Sequence, residues 1–361
     1  RGPARWGRAA MPAPRLPALA LALVAPGHGA AADGAAAPLP TIWEVGRHAG
    51  HVDVIDALPS PSEFHREYVV KQRPALFRAA ARQMPAYSLW TDDYLRDRYG
   101  SVVMGQVETE KKETRTAFPK EDWTLSKFLD HYNSSDIYST ASTPKGLSDE
   151  VYMLPPINCG GFLKRLSQSV LWFSSGSTKS VIHKDGQENL HCMIAGEKRW
   201  ILWGADSGID SERMGWIQGE KEAERDPVFK NAYGTYVGRI DVDGVDLARF
   251  PRWGELSWWD MTLRAGDCAY IPKAWYHYVE APPQRSISFH VWFHARKVFD
   301  SKSCEALERK GYDLSSLLIR LSDCTWGFGE DDNMKPTTCK VRKSSSTGAS
   351  QRQASGAKSE L

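Results

Sequence analysis

From residue 166 onward, apolar and polar positions alternate in short runs separated by Gly, Pro and Asp turns. The runs 169–174, 181–185, 190–195, 198–203, 261–263, 268–271, 276–280 and 287–293 are rich in β-branched and aromatic residues, and each predicts a strand. Many short strands, interrupted by a long insert over 206–260, predict an antiparallel sandwich or barrel. Before residue 166 the spacing changes. Ser60-Pro61-Ser62-Glu63 predicts a helix start, with Phe64, Tyr68 and Val69 following at helical intervals. Thr91-Asp92-Asp93 predicts a second helix running to Tyr99, and Trp123 to Tyr132 a third, capped near Thr124. Residues 102–107 predict a strand. Beyond the strand-rich part, helices are predicted over 300–310 and 313–321, and the Ser-, Gln-, Lys- and Gly-rich stretch 340–358 predicts disorder.

These patterns divide the chain into five stretches. Residues 1–32 read as an upstream extension and a leader, 33–165 as an α/β supporting region, 166–300 as the β core, 301–339 as a helical, Cys-containing region, and 340–361 as a tail. The chain has 361 residues, a net charge of +2, and 14 Trp, 13 Tyr and 12 Phe, a composition that suits packed sheets. So even a charge balance, with no long basic stripe, does not imply a polyanionic partner, and no nucleic acid is expected.

The ends suggest a compartment. After Met11 come Arg15, an apolar run over 16–25 and the small residues Ala30, Ala31 and Ala32, the pattern of a secretory signal peptide. The run is too short to span a bilayer, so no stable membrane insertion is expected. The last residues, Lys358, Ser359, Glu360 and Leu361, resemble the Lys-Asp-Glu-Leu retrieval signal and imply recognition by its receptor. Together they point to the lumen of the endoplasmic reticulum, with secretion as the alternative. The six cysteines fit an oxidising compartment. Cys324 and Cys339 flank a turn and can be bridged, with Cys304 pairing elsewhere, whereas Cys192 and Cys268 read as small buried hydrophobes. Asn133-Ser134-Ser135 is a glycosylation sequon. The run Asp241 to Asp246 has the oxygen ligands of a calcium loop without its spacing, and reads as a solvated acidic turn.

One constellation carries chemistry. His183-Lys184-Asp185 places an imidazole and a carboxylate two residues apart, on the same side of a strand. His277, after the strand-like Cys268 to Ile271 and a Pro turn, is the candidate third ligand. Two His and one carboxylate suit Fe(II) and leave positions open for a bidentate co-substrate and for O2. On spacing alone a turn or a core histidine competes with this reading.

The segment from His183 to Lys198, with Asp246-Leu247-Ala248-Arg249-Phe250-Pro251, Arg264-Ala265-Gly266-Asp267 and the run from Tyr270 to His277, resembles the JmjC-type, cupin-like 2-oxoglutarate oxygenases. The pattern is nearest to the small JmjC-only lysyl hydroxylases and covers about residues 55–300. The resemblance implies a mainly β fold, a double-stranded β-helix (jelly-roll) barrel with flanking N-terminal α/β elements and C-terminal helices. It implies Fe(II) on His183, Asp185 and His277, with 2-oxoglutarate and O2 as co-substrates. Lys198 would pair with the distal carboxylate of 2-oxoglutarate, helped by the Ser180 hydroxyl and by Tyr152. Asn189 would lie in the pocket and Trp292 would line its base. Relatives carry Asn in an Asn-Phe-Trp run where this chain has His290-Val291-Trp292, which puts ordinary turnover in question. The implied reaction is hydroxylation of a protein or peptide side chain in the secretory pathway, coupled to decarboxylation of 2-oxoglutarate to succinate. A homodimer built on residues 300–321 follows from the same analogy. Two rivals stand beside it: a catalytically weak or inactive binding protein of the same fold, and a cupin of other chemistry. Trp253, Trp258 and Trp259 either line a peptide groove or cover the core.

Overall fold

Three hydroxyl side chains start three helices, as their spacing predicts. Ser60 Oγ accepts from the Glu63 N–H at 3.3 Å, Thr91 Oγ1 from Tyr94 at 3.2 Å and Thr124 Oγ1 from Lys127 at 3.3 Å. Each satisfies one donor that a helix start leaves unpaired. The helices are α1 (Pro61–Phe64, continued by a wider turn over His65–Val69), α2 (Pro85–Leu89), α3 (Asp92–Tyr99), α4 (Leu125–His131) and α5 (Ser301–Glu308). The computed structural model describes residues 37–113, 122–207, 209, 236–237, 240–327 and 335–341. The leader, the Lys358–Leu361 ending and most of the long insert lie outside the described residues. No helix among those described is long and apolar enough to cross a membrane.

In chain order the strands are β1 (Arg47–His51), β2 (Asp53–Ile55), β3 (Ala75–Phe77), β4 (Val103–Glu108), β5 (Asp122–Thr124) and β6 (Tyr138–Ser142). There follow β7 (Tyr152–Met153), β8 (Leu166–Ser174), β9 (His183–Lys184), β10 (Glu188–Ala195), β11 (Glu197–Trp203) and β12 (Tyr236–Val237). The remainder are β13 (Ser257–Arg264), β14 (Cys268–Ile271), β15 (Tyr276–Glu280), β16 (Ser286–Phe293), β17 (Ile319–Arg320), β18 (Cys324–Thr325) and β19 (Thr338–Cys339). Nine form one sheet in the order β2-β3-β14-β10-β16-β8-β6-β4-β5, and six another in the order β1-β13-β11-β15-β9-β12. Most pairings are antiparallel, while β1 with β13 and β2 with β3 run parallel.

Alternation along the strands assigns each residue to a layer. Leu76, Met193, Ala269 and Ile271 of the large sheet pack with Trp200, Leu202, Met261 and Leu263 of the small one, so the two sheets face each other across this cluster. The opposite face of the large sheet, with Leu190, Phe289, Val291 and Phe293, packs against the helices through Phe64, Leu95 and Phe128. The outer face of the small sheet carries Ile201, Trp203, Tyr276 and Tyr278 against Trp253 and Trp258. What the strand pairing carries of the jelly-roll expectation is therefore two facing mixed sheets with flanking helices. Trp253 and Trp258 are core residues, at 2% and 7% exposure. Trp259 is partly buried beside Trp275, with ring centroids 5.8 Å apart.

Three expectations are corrected. The predicted strand over 181–185 shrinks to His183–Lys184, because Asp185 turns to meet the loop before β15. The predicted helix over 313–321 is absent. The Asp313 carboxylate takes the N–H and hydroxyl of Ser315 into a turn, and burial then falls at Leu317, Ile319 and Leu321, a period of two that makes a strand. Ile319–Arg320 pairs with Tyr152–Met153. Cys192 and Cys268, expected as plain hydrophobes, are disulfide-bonded between facing positions of β10 and β14.

Cys324 and Cys339 are bridged as expected, and Cys304 pairs with Cys159. The Cys324–Cys339 loop spans 15 residues. Replacing both cysteines with serine is expected to cost about 3 kcal/mol in urea-unfolding stability, the closure entropy of a loop that size. An unchanged midpoint would show the bridge to be thermodynamically silent.

Candidate metal centre

His183 and Asp185 leave β9 while His277 lies on β15, and β9 and β15 pair with His277 directly opposite His183. The ligand atoms of the three side chains lie within 4.8 Å of one another, with Asp185 8% and His277 2% exposed. The expectation that the His-x-Asp pair and His277 converge is met. Each imidazole is oriented by its own backbone: His183 Nδ1 lies 2.8 Å from the Val181 carbonyl and His277 Nδ1 3.0 Å from that of Trp275. A carbonyl only accepts, so both Nδ1 atoms carry a proton, and Nε2 is the atom each ring presents to a metal. Trp292 Nε1 donates to Asp185 Oδ2 at 3.3 Å. Burial pushes the Asp185 carboxyl up, but His277, His183, His290 and the Trp292 hydrogen bond outweigh it, and the group sits below the ordinary carboxylate range.

The loop presenting His277 is tied down from below. Ala274 N–H donates to the Asp185 carbonyl at 2.9 Å, and Lys273 N–H donates to Glu188 Oε2 at 2.9 Å. Glu188 also accepts from the Tyr270 hydroxyl at 2.6 Å. Ala274 holds a left-handed φ of +66°, a conformation costly for a residue with a Cβ and maintained here by these two bonds. Neither Glu188 nor Ala274 stands out in the sequence, because their role exists only once two distant strands meet.

The inward row of the large sheet lines the space beside the triad. His191 pairs with His290, and Asn189 with Trp292. The ring of Trp200, from the facing sheet, lies 5.1 Å from His191 and 5.5 Å from His277. Trp172 Nε1 donates to His290 Nδ1 at 3.3 Å, so the proton of His290 is on Nε2. Burial pushes the His290 pKa down to about 3, against the pull of Asp185, and keeps the ring neutral. His290 is not among the converging ligand atoms.

Lys198 lies deeper, 7% exposed, with Nζ 4.8 Å from the Trp172 ring centroid. Burial lowers its pKa to about 7, and Glu113 partly opposes the shift. Tyr138 stacks on Trp172 at 6.0 Å and donates to Glu113 Oε1 at 2.6 Å. Ser180 Oγ accepts from the Val279 N–H at 2.9 Å, which leaves its own proton free to donate. Tyr152, expected beside Lys198, is instead opposite Arg320 in a two-stranded sheet and packs on the helix-side core. Tyr138 is the tyrosine that reaches the Lys198 wall. Burial in β6 falls on the adjacent Tyr138 and Ser139 rather than alternating, so no local signal marked it.

The donor set fits a divalent iron site, with two neutral nitrogens and one carboxylate leaving coordination positions open. The lining fits a polar co-substrate. Asn189 Oδ1, both ring nitrogens of His191, His290 Nε2, Ser288 Oγ and Trp200 Nε1 are buried without a hydrogen-bond partner among the described residues. Buried polar atoms are nearly always paired, so a cluster of orphans between the two facing sheets marks a place for a polar guest.

Comparison with known proteins agrees. Residues 61–299 match the family described as the cupin-like domain, about two thirds of the chain. The chain belongs to the cupin-like domain family. Among curated relatives, this cupin-like protein is 24% identical over 265 residues to the human bifunctional peptidase and (3S)-lysyl hydroxylase JMJD7, covering 67% of this chain and 84% of that one. It is 26% identical over 242 residues to the Arabidopsis thaliana lysine-specific demethylase JMJ30, covering 64% and 52%. With the Xenopus tropicalis lysine-specific demethylase 8 the identity is 22% over 242 residues, covering 65% and 51%. The cupin-like chain thus spans about half the length of the two demethylases.

Proposed function

We propose that this chain is an Fe(II)- and 2-oxoglutarate-dependent oxygenase that hydroxylates a side chain of a protein or peptide in the secretory pathway. The observation that carries the reading is a buried His183–Asp185–His277 set opening onto a polar interior whose far wall holds Lys198. Bound iron would supply the oxidising chemistry, with 2-oxoglutarate and O2 giving succinate, carbon dioxide and one oxygen atom for a substrate C–H bond. The chain's own residues do the placing. His183 and His277 offer Nε2 because their Nδ1 protons are spent on carbonyls, and Trp292 fixes the Asp185 carboxylate. Lys198 takes the distal carboxylate of 2-oxoglutarate, with the free Ser180 proton beside it. Asn189 Oδ1 and the His290 Nε2–H meet polar groups of the guest.

A side chain such as lysine is the preferred target class, supported by the lysyl hydroxylase named among the relatives. The lumenal setting is supported by three disulfides that pair all six cysteines. The exposure of Asn133, in the turn after α4, supports the same setting, since a sequon must be accessible to take a glycan.

The test is anaerobic titration of the purified chain with Fe(II) and 2-oxoglutarate. A weak visible charge-transfer band, present only with both, is the expected result. Bound iron without a band would favour a second reading, a contact-only binder of the same fold, for which the bulk of His290 is the specific observation. In that case His290→Asn is expected to bring the band back.

A further inference from the structure

We infer that the outer face of the small sheet carries a second metal site, for a divalent ion of the zinc class, on His48, His51 and Asp260. The site is independent of the reading above and lies on the other side of the sheet. Along β13, Trp259, Met261 and Leu263 belong to the space between the sheets, and alternation sends Trp258 and Asp260 outward.

A β-bulge builds the cluster. His48 pairs with Trp258 and His51 with Asp260, and the register slips between His48 and Gly50. On a regular strand, residues three apart face opposite sides. The extra residue turns both imidazoles to one side. Gly50 takes a φ of +141°, a conformation open to glycine and avoided by residues with a Cβ, and a Cβ there would meet nothing within 4 Å. The turn at that position therefore depends on backbone freedom rather than on space.

His48 Nε2 lies 2.7 Å and His51 Nδ1 2.6 Å from the same oxygen, Asp260 Oδ1. The three ligand atoms fall within 4.8 Å of one another. His48 is held against Trp258, with ring centroids 4.7 Å apart, and the Trp258 indole donates to the Val45 carbonyl at 2.8 Å. His51, 75% exposed at its side chain, is free to withdraw. A tetrahedral ion with ligands at about 2.0–2.1 Å separates them by roughly 3.3 Å, so the two imidazole–carboxylate contacts must open to admit it, and the exposed His51 can make that movement. Two imidazoles and one carboxylate favour Zn(II), Co(II), Ni(II) or Cu(II) over Mg(II) or Ca(II), and water completes the shell. The bound ion would clasp the edge strand β1 to β13.

Calorimetric titration of the full chain with Zn(II) alone tests this. Wild type should take up two equivalents, while His51→Ala and Asp185→Asn should each lose a different one. Gly50→Val, which keeps all three ligands, should weaken the outer site and spare the inner one. Two equivalents retained by His51→Ala, or a single wild-type equivalent abolished by Asp185→Asn, would overturn the inference. A single equivalent lost only with His51 would uphold it while counting against iron at the triad. His51 is exposed, so its loss does not threaten folding.

Discussion

Asp185→Asn should leave a folded protein that no longer holds iron and no longer turns 2-oxoglutarate into succinate. The carboxylate is the one anionic member of the triad. An amide oxygen in its place still accepts from Trp292 Nε1 but is a poor ligand for a divalent ion. Changes in the groups that merely orient ligands cost 10–100-fold in metal affinity, so loss of a ligand should exceed about 100-fold. The same variant makes a prediction for the metal-free protein. Burial raises the Asp185 carboxyl, but His277, His183 and His290 pull it below its ordinary 3.8. A depressed carboxylate stabilises the fold above its unfolded value, and that contribution is lost as pH falls through the folded value. Wild type should therefore be more stable than Asp185→Asn near neutrality, with the gap closing in acid. Urea unfolding across pH measures the gap, and succinate formation measures the chemistry. Iron retained at wild-type affinity would remove Asp185 from the ligand set.

The parts of this molecule legible in the sequence are those encoded locally. Ser60, Thr91 and Thr124 announce helix starts because a cap acts within three residues. The strands from Leu166 onward show their period of two. His183 and Asp185 advertise a shared side of one strand, and the segment before His277 carries its own turn. What remained hidden depends on which strands become neighbours. Cys192 and Cys268 are 76 residues apart and look like strand hydrophobes until β10 pairs with β14. Tyr138 rather than Tyr152 faces the Lys198 wall because β6 joins the large sheet beside β8. His48, His51 and Asp260 come together only through a slipped register, and 313–321 reads as helical only while the partner of Ile319 is unknown. Local pattern offered the triad as one reading among others, the family resemblance selected it, and tertiary pairing carried its walls.

Lys198 shows what the proposed site costs the fold. Lys198→Met should raise the melting temperature of the metal-free protein by a few degrees and abolish 2-oxoglutarate binding. Methionine has similar bulk and packs as well on Trp172, but brings no charge into a buried space. The sign follows from the lysine's depressed pKa, about 7 against an ordinary 10.5, caused first by burial and opposed by Glu113. Between those values the unfolded chain holds a proton that the folded chain does not, so wild-type stability rises with pH across that window. Below about 7 both states are protonated and the whole cost of the buried ammonium is carried. The stability advantage of the methionine variant is thus largest in acid and shrinks toward alkaline pH. Co-substrate affinity moves the other way. A carboxylate needs the ammonium, so wild-type binding weakens as pH rises through neutrality. Removing one partner of a buried ion pair costs about 3–5 kcal/mol, a hundredfold or more in affinity. Thermal melting at several pH values and calorimetry with 2-oxoglutarate read the two effects separately. If the variant melts lower and binds 2-oxoglutarate unchanged, Lys198 is a packing residue on Trp172, and the distal carboxylate must be held elsewhere. If it melts higher and binds nothing, the buried charge is retained at the expense of stability for the anion it meets.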